Sequence, residues 1–173
     1  MFTKKSKPRE YIIQKKLAKS FPGYVPRAHE YKNGTIYMDK VRGPTLYKYI
    51  QTASDASVIR IIGQVLGLLK KITTKFPRFR HNDLHLKNIM IEKGHPVMID
   101  FGLAGSTVRN REYGLSKATK PIYDIHYFLN SVFTQVRKNP ALYKRSYSWL
   151  LKALPVGYRG ANTVHVKNYR LRL

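Results

Sequence analysis

Residues 81–105, HNDLHLKNIMIEKGHPVMIDFGLAG, constrain this chain more than any other stretch. Short apolar runs at 88–91 and 96–99 flank Glu92-Lys93-Gly94, a pattern that predicts two strands joined by a tight turn. Such a hairpin brings the loop 81–88 beside the loop that begins at Asp100, so that two carboxylates and an amide share one place. Asp83 can then accept or orient the proton of an attacking hydroxyl. Asn88 and Asp100 are hard oxygen ligands of the kind that hold Mg²⁺ on nucleotide phosphates. Two other readings stand beside this one. His81, Asp83 and His85 alternate and would share one strand face as a metal site, though no further ligand cluster accompanies them. Alternatively, Asp83 and Asp100 simply cap turns.

The letters themselves narrow the choice. HNDLHLKN resembles the catalytic loop of protein kinases, HxDLxxxxN, and IDFGLA resembles their metal-binding DFG segment. The intervals, five residues from Asp83 to Asn88 and 17 from Asp83 to Asp100, are close to that family's. The resemblance implies an ATP-dependent phosphotransferase in which Asp83 is the base and Asn88 and Asp100 hold Mg²⁺. Upstream, GTIYMDKVRGPTLYKYI resembles the fifth strand and hinge of such domains, which implies Met38 in the gatekeeper place and adenine bonded by the backbone of Asp39 and Val41. Glu10 lies 28 residues before Met38, where the family places its C-helix glutamate; it reads equally as a first-turn acid favoured by the helix dipole. Asp124 resembles the F-helix aspartate that holds the catalytic loop from below.

The chain also departs from the family. Nine residues precede Glu10, no G-x-G-x-x-G occurs, and Lys4, Lys5 and Lys7 belong to a polar start that reads as a mobile arm. His85 stands where serine/threonine kinases usually carry lysine, as in aminoglycoside phosphotransferases and atypical kinases. Lys87 is the nearest cation able to replace that lysine at the phosphates, or is an ordinary solvated side chain. The chain is therefore identified as a short atypical kinase or pseudokinase, similar to kinase-like proteins of large DNA viruses.

The expected fold is α+β and protein-kinase-like, with a truncated N-lobe of one helix and a β-hairpin over a mainly helical C-lobe. At 173 residues one domain is expected: arm 1–8, residual N-lobe and hinge 9–43, C-lobe 44–155, basic tail 156–173. Pro8 starts a helix with Ser6 as its cap and Ile13, Leu17 and Phe21 as its stripe. Asn33-Gly34 marks a hairpin between strands 27–31 and 35–41. Ser54-Asp55 opens a long amphipathic helix to about residue 75, buried through Val58, Ile61, Ile62, Val65, Leu66, Leu69 and Ile72. After an activation-like segment to residue 121, helices are expected over 122–136 and 141–154.

Thirty-three Lys and Arg against nine Asp and Glu give a formal charge of +24, so a polyanionic partner is expected, either nucleic acid or an acidic protein assembly. With no cysteine, no apolar leader and no run long enough for a membrane span, an intracellular setting is expected, cytoplasmic, nuclear or virion-associated. Two functions follow: phosphoryl transfer to a hydroxyl of a protein or small molecule, or a catalytically inactive kinase-like module used for binding or structure. Oligomeric state is not legible.

Overall fold

The computed structural model describes residues 1–106 and 123–138. The activation-like segment, the helix expected at 141–154 and the basic tail lie outside the described residues. A three-stranded antiparallel sheet has the order β1-β3-β2, with β1 Phe2–Lys5, β2 Ala28–Lys32 and β3 Thr35–Met38. Helix α1, Pro8–Ser20, packs on it. Below lie α2 (Leu46–Thr52), α3 (Asp55–Lys75), a 3₁₀ turn (Leu86–Asn88), the hairpin β4–β5 (Ile89–Glu92 and His95–Met98) and α4 (Tyr123–Lys138).

Both hairpins turn through two residues with positive φ, Asn33-Gly34 and Lys93-Gly94, the geometry whose twist matches paired strands. Ser54 caps α3 by accepting the Ser57 N–H at 3.3 Å. The apolar face of α3 is buried as its period requires, except that Leu68 is buried in place of Leu66. Gly63 and Gly67 sit on its exposed side and meet no other backbone. Ile125, Phe128, Leu129 and Val132 of α4 close the same core with Leu84 and Phe101.

The first residues overturn an expectation. Residues 2–5 are not a mobile arm: they form β1, in register with β3 from Phe2↔Met38 to Lys5↔Thr35. The central strand β3 is apolar on its buried face, through Ile36 and Met38, and the edge it turns away from β2 is satisfied by four residue pairs with β1. Ser6 is not the cap of α1 either. Lys7 occupies that position with no side-chain bond, and the Ser6 hydroxyl donates to Glu10 Oε2. On α1, Glu10, Gln14 and Leu17 are buried, whereas Ile13 and Phe21 are partly covered. Helix α2 was not anticipated; Thr45 caps it, accepting the Lys48 N–H at 3.4 Å. Among the described residues no helix is long and apolar enough to cross a membrane.

The connection into α2 passes against the hairpin at Gly43, where φ is +131° and an added Cβ would lie 2.1 Å from the Ile91 carbonyl oxygen. Gly43→Ala is therefore expected to lower stability by about 1–3 kcal/mol, read as a fall of several degrees in melting temperature. Gly63→Ala is the matched control: it lies in a helix interior with no atom within 4 Å of the new carbon, so its melting temperature should hold or rise.

Candidate active site

The loop of residues 81–104 is closed at its base by a two-way backbone pairing. Arg80 N–H donates to Gly105 O at 2.7 Å, and Gly105 N–H donates to Arg80 O at 2.8 Å. From beneath, α4 presents Asp124, whose carboxylate accepts the His81 N–H at 2.7 Å and the Asn82 N–H at 3.0 Å. This is the placement expected for Asp124. Burial pushes its carboxyl up, and the two N–H bonds and neighbouring positive charge only partly reverse that. Asn82 holds φ +66°, a conformation asparagine tolerates, and its amide donates to Leu103 O at 3.0 Å. His81 points inward: its Nε2–H donates to Ile99 O at 3.1 Å and its ring lies 5.0 Å from that of Phe101. Complete burial depresses the imidazole's basicity, so it stays neutral. Among the described residues no cluster of three ligating side chains forms a metal site, so the His81, Asp83, His85 grouping is not assembled.

Asp83 stands above this base with both oxygens engaged. Asn88 Nδ2 donates to its backbone carbonyl at 2.8 Å and to Oδ2 at 3.1 Å, and Tyr127 O–H donates to Oδ1 at 3.3 Å. His85 accepts the Lys87 N–H on Nδ1 at 3.2 Å, which leaves the ring proton on Nε2, 3.6 Å from Asp83 Oδ1. Because the nitrogen of Asn88 is turned to Asp83, its amide oxygen is directed away from that carboxylate. The carboxylate of Asp100 follows the hairpin at φ +62° and is half-exposed. Donor chemistry thus fits a Mg²⁺ shared with phosphate oxygens: one carboxylate and one amide oxygen, both hard.

The decisive contact comes from β1. Lys4 Nζ lies 2.6 Å from Glu10 Oε1 and 2.7 Å from Asp100 Oδ1, so one ammonium joins β1, α1 and the loop after β5. Partial burial pulls this lysine's pKa down, but the hydrogen bonds and charges of Asp100 and Glu10 overcome it and hold it above its usual value. Burial likewise raises Asp100, yet the Lys4 bond and charge, with the Gly102 N–H, hold its carboxyl below the usual range. Glu10 is 5% exposed, so its carboxylate would be costly without these partners. It is therefore more than a first-turn acid.

A cavity of about 450 Å³ opens beside this triad. Phe2 and Lys4 line it from alternate positions of β1, as a strand's period of two requires, and Met38, Asp39 and Val41 line it from the end of the adjacent β3 and the residues that follow. Met38 is buried and its sulfur receives the Gln14 amide at 3.3 Å. The Asp39 N–H is committed to Arg27 O at 3.0 Å, so its carbonyl is the group left to meet a ligand. Lys87 is not in this cavity. Its ammonium lies 5.4 Å from the Tyr47 ring in a separate depression of about 290 Å³ with His85 and Tyr127, on another side of Asp83. The 3₁₀ turn capped by His85 carries the Lys87 side chain outward while it turns Asn88 inward.

Sequence reasoning missed Tyr127 and could not single out Lys4. Lys4 was one of three lysines in a supposed arm, and only the pairing of β1 singles it out. Tyr127 lies three residues past Asp124, one helical turn on, which is the spacing that could have placed it under the same loop.

The comparisons agree with this geometry. A family model described as the RIO domain matches residues 2–137. The EKC/KEOPS complex subunit BUD32 of Yarrowia lipolytica is 30% identical, over 55% of this chain and 48% of its own length. The chain thus spans about half the length of that relative. Among solved structures, the Rad53 kinase domain in complex with AMPPNP is similar with a TM-score of 0.54, 22% identity, and coverage of 75% of this chain and 50% of that one. The Cydia pomonella granulovirus kinase PK-1 has a TM-score of 0.50, 18% identity, and coverage of 60% and 42%. The fold is α+β and protein-kinase-like.

The Lys4–Asp100 pair has a defined pH signature. Asp100 has a lowered folded-state pKa, so its contribution is complete above the ordinary carboxylate value of 3.8 and is lost as pH falls through the folded value. Lys4 is raised, so its contribution persists past 10.5 and is lost only as pH rises through its folded value. For a half-exposed pair the difference between wild type and Asp100→Asn should be about 1 kcal/mol or less at neutral pH, or a few degrees in melting temperature. That gap should be flat through neutral pH and close in acid; a gap that persists undiminished at acid pH would contradict the pairing.

Proposed function

The chain belongs to the RIO domain family, and from that premise we propose that it is an ATP-dependent, serine/threonine-protein-kinase-like phosphotransferase that acts on a hydroxyl. The observation that carries this reading is the three-way contact of Lys4 with Glu10 and Asp100 at the mouth of the 450 Å³ cavity. A charged triad that joins three separate elements is pre-organised, which a lysine on a loose arm would not be. Of the grounds for an inactive module, the Lys4 contact weighs against a missing lysine, while the lack of a G-x-G-x-x-G and the charge of +24 remain.

In this reading adenine would enter the 450 Å³ cavity beside Phe2 and Met38, where the Asp39 carbonyl and Val41 N–H would bond its edge. Lys4 exchanges Asp100 for phosphate oxygens while Glu10 keeps its ammonium in place. Asn88 and Asp100 would hold Mg²⁺, which when bound neutralises phosphate charge. Asp83 orients the acceptor hydroxyl and takes its proton as the oxygen bonds to the γ-phosphorus and the bond to the bridging oxygen of the β-phosphate breaks, releasing ADP. Tyr127, His85 and Asn88 fix the carboxylate for that task.

Purified protein should release or transfer the γ-phosphoryl group of Mg-ATP. Asp83→Asn should lower the rate by about 10²–10⁴-fold and leave nucleotide-induced thermal stabilisation intact. Lys4→Met should reduce both. With nucleotide at 100 times its Kd the stabilisation should be about 2.7 kcal/mol. Equal rates in wild type, Asp83→Asn and Asp100→Asn would sink the catalytic assignment, and no thermal shift with millimolar Mg-ATP would sink nucleotide binding as well.

A further inference from the structure

A second concavity, of about 730 Å³, lies between α1 and the C-terminal end of α3, away from the nucleotide cavity. Its floor is apolar: Ile12 and Ile13 from α1 face Phe76 and Phe79. Ile12 is 63% exposed and lies beside the partly buried rings of Phe76 and Phe79, so its apolar surface adds to theirs. Four cations, Arg9, Lys16, Lys75 and Arg78, stand around this floor, and among the described residues no acid lines it. Among the described residues none of the four has a carboxylate partner. Lys16 and Lys75 instead lay their ammonium groups 4.8 Å and 6.0 Å from the Phe76 ring.

We infer that this groove docks an acidic segment of a partner protein, one that sets aliphatic or aromatic side chains on the floor and carboxylates against the four cations. Charge decides where the occupant comes from. Residues 107–122 hold a single acid, Glu112, among several lysines and arginines, and residues 139–173 hold none. A second copy brings +24 toward +24. Every source within the chain is thus repelled, and an acidic protein is drawn in. Shape decides against nucleic acid. Single strands stack bases on open aromatic faces, whereas here Lys16 and Lys75 sit over Phe76, and the surface beside it is aliphatic. The arrangement suits the helix-in-groove mode, in which apolar anchors at i, i+3 and i+4 enter a groove.

Fluorescence anisotropy on the full chain at about 150 mM salt tests this with a labelled 16-residue peptide of four Glu-Leu-Leu-Glu repeats. Its comparators are four Glu-Ser-Ser-Glu repeats of equal charge and an oligothymidylate of about 16 nucleotides. The leucine peptide should bind at least tenfold more tightly than the serine peptide. The double variant Lys16→Glu/Arg78→Glu should lose at least tenfold, and Ile12→Ser, which leaves charge unchanged at an exposed position, should lose several-fold. Lys32→Glu/Lys48→Glu, with the same net charge but changed elsewhere, should stay within about threefold of wild type. The inference is overturned if the leucine peptide does not bind, if the serine peptide binds as tightly, or if both double variants weaken binding alike. It is also overturned if the oligothymidylate binds more tightly than the leucine peptide and only the groove reversal abolishes that binding, which would make the face a nucleic-acid surface.

Discussion

The buried carboxylate of Asp124 is the contact on which the site depends. A fully buried acid is unstable unless donors surround it, and here they are the backbone N–H groups of His81 and Asn82. The requirement runs both ways: these two amides, themselves buried, have no strand or helix to bond in. Satisfying them from α4 fixes the start of the loop, and the Arg80–Gly105 pairing fixes its two ends together. Everything between, Asp83, Asn88 and Asp100 included, is then held on a closed frame instead of on a free loop. Neutral His81 fills the frame's interior through Ile99 O and the Phe101 ring.

On that frame the two parts of the molecule meet through one ammonium. Lys4 arrives from the sheet, Glu10 from α1 and Asp100 from the end of the β4–β5 hairpin. Glu10 is buried and Asp100 is half-exposed, so their roles differ. The buried partner cannot release the lysine cheaply, whereas water can replace the lysine at the exposed one. The geometry therefore permits Lys4 to keep Glu10 while changing its second partner, which is what exchange of Asp100 for a phosphate would require. The positive φ of Asp100 belongs to the same arrangement, since it lets the carboxylate reach up to Lys4 while Phe101 is buried below.

Much of this was legible in the order of residues because it rests on local chemistry. Asn33-Gly34 and Lys93-Gly94 name their turns, Ser54 names the start of α3, and the apolar period of α3 names its buried face. The spacing of Asp83, Asn88 and Asp100 is fixed by a hairpin whose length those turns set. What was not legible depends on distant partners. Phe2-Thr3-Lys4-Lys5 is too short and too basic to announce a strand, and it becomes one only because β3 offers it an edge. Lys4 could not be told from Lys5 and Lys7 until the register put it on the same face as Phe2, toward Glu10. The two readings of Lys87 could not be separated for the converse reason: its nearness to Asp83 in sequence says nothing about which way a capped 3₁₀ turn will point it. Helix α2 hid within a segment read as strand and hinge, its only signal being the Thr45 cap.

The distribution of acids connects the site to the surface. The chain has nine Asp and Glu, and Glu10, Asp83, Asp100 and Asp124 are engaged in the site. Asp39 pairs with His29 at 2.7 Å, and Glu92 accepts the Arg42 N–H at 2.6 Å. Nine carboxylates cannot offset 33 Lys and Arg, and with several of the nine engaged in the site the exterior is electropositive. An electropositive exterior alone would attract any polyanion and choose among none. Discrimination requires apolar area next to the charge, and the groove beside Ile12 and Phe76 combines the two. Its position adds a mechanical link. Arg9 lines the groove and lies against Gly105, the residue that closes the loop with Arg80, and the next residue on the helix is Glu10. A segment seated there would press on the helix that holds Lys4 in place, so the proposed docking groove and the triad at the 450 Å³ cavity share one element.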